Sequence, residues 1–257
     1  MRNQIYKKEV KMSFKDRENI ILDYLRQNRE ASIDELCAKL FVSAPTMRRD
    51  LKALATSGKI IRTTGGAIYN ATAFEGTLQE VREKEFVLEK DNIAKKCLDL
   101  IHESDTIMVD GSSSCLQLLK ILDIKSPLIV ITNSSKASAI FAKTGIKTFV
   151  TGGEASKTSF AYVGTLTEEF IRKFNADICF FSVSSLTPDG KLTDNSIAEN
   201  QISKTMIAQS KKSVLLLNSQ KIGAPHLNTV CTLKDIDFVV SETDISDMFP
   251  EYKEKFI

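Results

Sequence analysis

The sequence predicts an α/β protein. A small winged helix-turn-helix comes first, and a larger domain with a mostly parallel sheet covered by helices follows. Three observations carry that prediction. Short helical patterns and a Gly-Gly hairpin crowd the first seventy residues. Apolar strand-like runs then alternate with helical patterns, as in a parallel sheet buried on both faces. Charge is split too: residues 1–70 hold 14 Lys and Arg against 8 Asp and Glu, and residues 71–257 hold 21 against 25. A basic module ahead of an acidic one suits a chain of which only the first part meets a polyanion.

Residues 1–13 read as a basic tail and residues 14–70 as the winged helix-turn-helix. In the first helical stretch, 15–28, Ile20, Ile21, Tyr24 and Leu25 share one face. Ser32 caps a short helix whose apolar positions are Ile33, Leu36, Cys37 and Leu40, spaced i, i+3, i+4, i+7. Ser43 caps a third helix with Pro45 in its first turn, running to about Thr56 with Ser57-Gly58 as its stop. Met47, Leu51 and Leu54 form the core stripe of that helix, which leaves Thr46, Arg48, Arg49 and Lys52 facing out. Two helices around a short turn, the second with a basic outer face, give helix-turn-helix order with 44–56 as the recognition helix. Lys59–Thr63 and Ala67–Tyr69 then flank Thr64-Gly65-Gly66 as a hairpin wing. An exposed Arg pair alone is usually just solvated. The combination points to double-stranded DNA, with Ser43, Thr46, Arg48, Arg49, Lys52, Arg62 and Gly65 as the contact residues.

Residues 71–80 are polar and aperiodic and read as a linker, with the second domain at 81–257. A charged helical stretch at 81–103, broken near Asp91-Asn92, opens that domain. Strands are expected at 105–111, 128–133, 147–153, 178–184, 213–218 and 238–242, and helices at 113–122, 135–143, 165–174 and 197–209. Ligands in such sheets bind beyond the carboxyl ends of the strands. Those ends carry Asp110, Gly111, Ser112 and Ser113, then Thr132, Asn133 and Ser134, then Gly152 and Gly153, and finally Lys221. Small hydroxyl and glycine residues let backbone N–H groups approach an anion, and Lys221 adds charge. The same residues also serve ordinary turns and caps, so the signal lies in their recurrence along one sheet edge.

Composition bounds the chemistry. With 257 residues, 42% of them hydrophobic and 26% charged, the chain is ordinary for a globular protein. No apolar run reaches the roughly 18 residues of a membrane span, and the basic N-terminus lacks the apolar stretch of a secretory signal. A cytoplasmic protein without a membrane partner is expected. Five Cys (37, 97, 115, 179, 231) without a C-x-x-C, and only two His, offer neither disulfide framework nor metal spacing, so no metal or cofactor is expected. Cys115, near a helix start beside the serines, is the one thiol placed for raised thiolate character.

Val42-Ser43-Ala44-Pro45-Thr46-Met47-Arg48-Arg49-Asp50-Leu51, followed by Ile61-Arg62 and Gly65-Gly66-Ala67, resembles the DeoR-type helix-turn-helix signature, V-S-x-x-T-I-R-R-D-L then L-x-R-x-x-G-G-A. Met47 replaces Ile, Ile61 replaces Leu, and Thr64 stands where His is frequent. Asp110-Gly111-Ser112-Ser113, Thr132-Asn133-Ser134, Gly152-Gly153, Gly164, Gly190–Thr193 and Lys221–Gly223 resemble the DeoR sensor domain in the same order, so the resemblance covers about residues 14–245. It implies a sensor similar in fold to ribose-5-phosphate isomerase, binding a phosphorylated sugar or sugar derivative, in a repressor of a carbohydrate catabolism operon. It also implies a homo-oligomer, dimer or tetramer, that places two reading heads on DNA. Two departures fall at the expected rim. Ser182–Ser185 replace a Gly-rich strand end, and Asn218 replaces an Asp. The alternative is an isomerase-like enzyme with a nucleic-acid-binding module, for which Asp110, Asp189, Asp194 and Glu199 are the candidate carboxylates.

Overall fold

The computed structural model describes residues 13–56, 59–69, 78–122, 127–142 and 144–257. The chain divides into two units, 1–76 and 77–257. The Ser57-Gly58 stop, nearly all of the basic tail and residues 71–77 of the expected linker lie outside the described residues.

In the first unit, α1 (Phe14–Asn28), α2 (Ile33–Leu40) and α3 (Ala44–Thr56) enclose Ile21, Leu25, Leu36, Met47, Leu51 and Leu54, all fully buried. Ser32 forms a capping box with Glu35 at the start of α2, and these hydrogen bonds hold the Glu35 carboxyl below its ordinary value. Phe41, left-handed at φ 52°, turns the chain between α2 and α3. The wing has three strands rather than two. Glu30–Ser32 forms β1, which pairs with β3 (Gly66–Tyr69), and β3 also pairs with β2 (Ile60–Arg62). Gly66 permits this approach: a Cβ there would lie 2.0 Å from the Ala31 carbonyl oxygen. Asp50, 2% exposed on the inner side of α3, accepts two hydrogen bonds from the Arg17 guanidinium of α1, at 2.7 and 3.1 Å.

The second unit opens with α4 (Leu78–Lys84) and α5 (Val87–Leu98). Residues 78–80, read as linker, therefore belong to a helix. The helical break falls at left-handed Phe86 (φ 52°), and Asp91-Asn92 lie inside α5. The ammonium of Lys90, a buried residue, causes the break by donating to the carbonyls of Arg82 and Glu85 (2.8 Å to the latter), which closes α4 and turns the chain. Next come β4 (Thr106–Val109), α6 (Ser113–Ile121), β5 (Ile129–Thr132), α7 (Ala137–Phe141) and β6 (Lys147–Val150). A small hairpin, β7 (Glu154–Ala155) and β8 (Tyr162–Val163), leads to α8 (Thr165–Ile171) and β9 (Ala176–Phe181). Then follow β10 (Ser185–Leu186), β11 (Lys191–Asp194), α9 (Ile197–Ala208), β12 (Ser210–Leu216), β13 (Asn228–Thr232) and β14 (Phe238–Val240).

Six strands form a wholly parallel sheet in the order β14-β12-β9-β4-β5-β6. Alternate residues along each strand enter two separate cores. Ile107, Val130, Phe180 and Leu216 face the core closed by α5, α6 and α7, whereas Met108, Ile131, Phe181 and Leu215 face the one closed by α8 and α9. The separate antiparallel sheet β10-β11-β13 goes beyond the expected elements. The chain proceeds from β4 outward to β5 and β6, then returns to place β9 on the other side of β4. Strand order thus reverses between β4 and β9, and a crevice opens beyond their carboxyl ends.

Asp50→Ala removes two charge-assisted hydrogen bonds from the mostly buried Arg17 guanidinium and is expected to cost the first unit on the order of 1.5–3 kcal/mol. Chemical denaturation of the full chain checks this, and Arg17→Met/Asp50→Leu should recover much of the loss.

Candidate functional site

The first unit presents one basic face. Ser43, Arg48, Arg49 and Lys52 are exposed on α3, and Thr46 is half-buried at its start. Ser43 takes the N-cap position: its carbonyl accepts from Met47 N–H at 3.0 Å, while its hydroxyl pairs with that of Thr46 at 3.0 Å. No acidic residue stands in the first turn of α3, so the positive end of its dipole is uncompensated there. Arg62 and Gly65 are exposed at the wing. The Gly65 carbonyl accepts from Ile33 N–H at 2.9 Å, which anchors the wing tip to the start of α2. Of the seven residues expected to meet DNA, six are therefore exposed and Thr46 is half-buried.

In the second unit, a cavity of about 380 Å³ occupies the crevice at the strand-order reversal. Six of the ten residues expected there line it: Asp110, Gly111, Ser112, Ser113, Asn133 and Lys221. Ser112 caps α6, its hydroxyl accepting from Cys115 N–H at 3.2 Å. Asp110 spans the reversal: one carboxylate oxygen accepts from Ser112 N–H at 2.9 Å and the other from Ser182 N–H at 3.0 Å. Burial raises the Asp110 pKa, and these hydrogen bonds oppose the rise. Lys221 turns its ammonium inward, donating to the Val183 carbonyl at 2.7 Å and to the Ser182 hydroxyl at 3.0 Å. Burial, with the nearby charges of Arg82 and Lys90, brings its pKa down to about 8.

The other four expected residues support the cavity's surroundings. The Thr132 hydroxyl accepts from Ser134 N–H at 3.0 Å, closing the turn after β5, and Ser134 bridges to Ala161. The Gly152 carbonyl accepts from the Thr167 hydroxyl at 2.7 Å. Gly153, at φ +131°, has no room for a Cβ, which would sit 2.1 Å from that hydroxyl oxygen. The end of β6 thus packs onto α8 and does not line the cavity. Cys115 is fully buried beside Asp110, and burial raises its thiol pKa well above the ordinary value. The thiolate character expected of it is opposed by desolvation.

Several lining residues went unpredicted. Arg82 and Lys90 come from α4 and α5, Asn200 from α9, and Gln220 and His226 from the loops flanking β12 and β13. Asp194 and Glu199, named only as carboxylates of the enzyme alternative, also line the cavity. One Glu199 oxygen accepts the hydroxyls of Ser156 (2.8 Å), Ser159 (2.7 Å) and Thr158 (3.3 Å), which gathers the β7–β8 loop at the cavity. Three buried amides lining the cavity keep an unused valence: the Asn133 Oδ1 and the Nδ2 atoms of Asn200 and Asn218. Unpaired buried polar atoms are costly, and three of them line this one cavity, where water or a polar ligand can satisfy them. Among the described residues no cluster of three or more His, Cys, Asp or Glu suits a metal ion, and no helix is long and apolar enough to cross a membrane.

Residues 17–73 match the DeoR-like helix-turn-helix domain, and residues 85–243 match the DeoR C terminal sensor domain. The chain is 31% identical over 241 residues to an L-fucose operon activator of Haemophilus influenzae, covering 93% of this chain and 96% of that protein. It is 34% identical over 233 residues to the HTH-type transcriptional regulator GolR of Listeria innocua, covering 90% and 91%. It is 27% identical over 227 residues to the HTH-type transcriptional repressor GlcR of Bacillus subtilis, covering 86% of each. Among solved structures, a D-ribose-5-phosphate isomerase in complex with phospho-erythronic acid aligns over 52% of this chain and 53% of that one, at 15% identity and a TM-score of 0.40.

The lowered pKa of Lys221 makes a signed prediction. Between about pH 8 and 10.5 the unfolded chain holds the Lys221 proton that the folded chain has released. Parent stability therefore gains with rising pH in that window, and Lys221→Met lacks the gain. The melting-temperature difference between the two should shift in the parent's favour from pH 8 to 10.5 and stay flat from pH 6 to 7.

Proposed function

This chain belongs to the DeoR family of transcriptional regulators, and from that premise we propose that it represses a carbohydrate catabolism operon under the control of a phosphorylated sugar. The carrying observation is the cavity at the strand-order reversal, where Arg82, Lys90 and Lys221 meet the start of α6 and three open amide valences. A phosphate suits the N–H groups of Ser113 and Ser114 and the Lys221 ammonium. A polyol suits the Asn133, Asn200 and Asn218 side chains, which offer both donors and acceptors. The volume is that of a small-molecule site. An isomerase would need a carboxylate free to take a proton. Both oxygens of Asp110 are already hydrogen-bonded to the backbone, which counts against that one of the four candidate carboxylates as the base.

Residues 14–70 read DNA, with Ser43, Thr46, Arg48, Arg49 and Lys52 on the recognition helix and Arg62 and Gly65 at the wing. Residues 78–257 bind the effector and hold a dimer or tetramer together. Two heads then meet half-sites about one helical turn, roughly 34–36 Å, or a multiple apart. A sedimenting monomer that bound DNA at full affinity would contradict this arrangement.

Fluorescence anisotropy of the full protein on the DNA upstream of its own gene, with a panel of sugar phosphates titrated in, tests the reading. Selective binding altered by one compound is the expected result. Selective binding indifferent to every compound would refute the effector, and salt-sensitive binding without selectivity would refute the operator. Arg48→Ala and Arg49→Ala should each weaken binding by about 1–3 kcal/mol if they contact bases, with a larger loss on cognate than on random DNA.

A further inference from the structure

Helix α4 is fastened at three points. The Gln79 amide donates to the Gly111 carbonyl at 3.1 Å, in the turn between β4 and α6. Glu83 pairs with Lys136 at 2.6 Å, and the Lys90 ammonium holds the carbonyls of Arg82 and Glu85. The helix packs against α6, whose start carries Ser112–Ser114. Arg82 stands three residues after Gln79, hence on the same helical face, and it lines the cavity.

The Arg82 side chain differs from the other charged groups there. Asp110, Asp194, Glu199, Lys90 and Lys221 all have hydrogen-bond partners. Among the described residues the Arg82 guanidinium has neither hydrogen bond nor ion pair, although it is half-buried. Its charge also helps to disfavour the proton on Lys221, which Asp194 and Asp110 favour, so the two cations share one cavity. Asn218, which lines the same cavity, is 1% exposed with its Nδ2 unused. An exposed surface arginine can leave its five donors to water. One turned into a cavity beside a second cation is built for an anion with several oxygens.

We propose, building on the effector reading above, that Arg82 is an effector-binding residue whose guanidinium grips the same phosphate as the N–H groups opening α6. The consequence is positional. Only residues 70–77 separate the wing strand β3 from α4, so the phosphate is held in part by the first described helix after the DNA-reading unit. Occupancy then tightens the point at which the chain enters the sensor.

Hydrogen–deuterium exchange of the full protein with inorganic phosphate, against chloride at matched ionic strength, tests this. In the parent, phosphate should slow exchange in both 78–90 and 110–116. Arg82→Gln should raise the phosphate Kd about tenfold or more. At phosphate concentrations that still protect 110–116, it should abolish the added protection of 78–90. Arg82→Lys, which keeps the charge but loses the fork, should fall between the two. Protection of 110–116 alone in the parent, or parent-like affinity in Arg82→Gln, overturns the role of Arg82 and leaves the anion site standing. No protection in either segment removes the anion site and this proposal together.

Discussion

Asp110 stands where the sheet changes direction. The ends of β4 and β9 part there, because the chain after β4 enters α6 whereas the chain after β9 enters β10 of the small antiparallel sheet. Each end exposes a backbone N–H that no neighbouring strand can take. One carboxylate accepts both, from Ser112 and Ser182. Two charge-assisted hydrogen bonds hold open a crevice that would otherwise splay or collapse. The rest of the cavity is arranged around that strut. Ser182, fixed by it, takes the Lys221 ammonium on its hydroxyl, and Ser112, fixed by it, caps α6. Of the two departures from the family pattern, Ser182–Ser185 begins at one of the strut's partners, and Asn218 lines the same cavity.

The three consecutive serines after Asp110-Gly111 do different work. Ser112 caps the helix, Ser113 faces the cavity, and Ser114 is buried with its hydroxyl unpaired. Sequence pattern groups them as one phosphate loop, whereas helical rotation separates them.

Much of the fold was legible because two periodicities dominate it. The 3.6-residue spacing of Ile33, Leu36 and Leu40, and of Met47, Leu51 and Leu54, locates α2 and α3. The apolar runs of β4, β5, β9 and β12, short and rich in β-branched and aromatic residues, read as strands buried on both faces. What escaped has neither signal. Strands β10, β11 and β13 hold two to five residues each and pair edge to edge beside the main sheet. Strand β1 is three residues long and exists because Gly66 lets β3 approach it. Helix α4 begins in a polar stretch with no apolar repeat. Of the candidate site, the strand ends after β4 and Asn133 after β5 were legible, since topology alone places them in the crevice. Arg82 and Lys90 were not. A lysine in a charged helix is read as solvated, and only the carbonyls at the end of α4 explain why Lys90 is buried. Gly152 and Gly153 show the opposite error, a glycine pair that serves helix packing.

The two-sided burial of the main sheet has a consequence for how its strands find their alignment. In a strand with one wet face, a shift of one residue exposes its apolar set to water and is strongly penalised. Here both faces are apolar, so Ile107 and Met108, or Phe180 and Phe181, exchange cores without meeting solvent. Burial alone then distinguishes poorly between the native alignment and its slipped neighbours. The discrimination falls to the polar caps at the strand ends: Asp110 on two amides, the Thr132 hydroxyl on Ser134 N–H, and the Asn133 side-chain amide on the Tyr162 carbonyl at 2.9 Å. A slip of β4 or β5 breaks these bonds at once. The residues that shape the cavity therefore double as the alignment marks of the sheet, and selection for a new ligand acts on a set that folding also constrains.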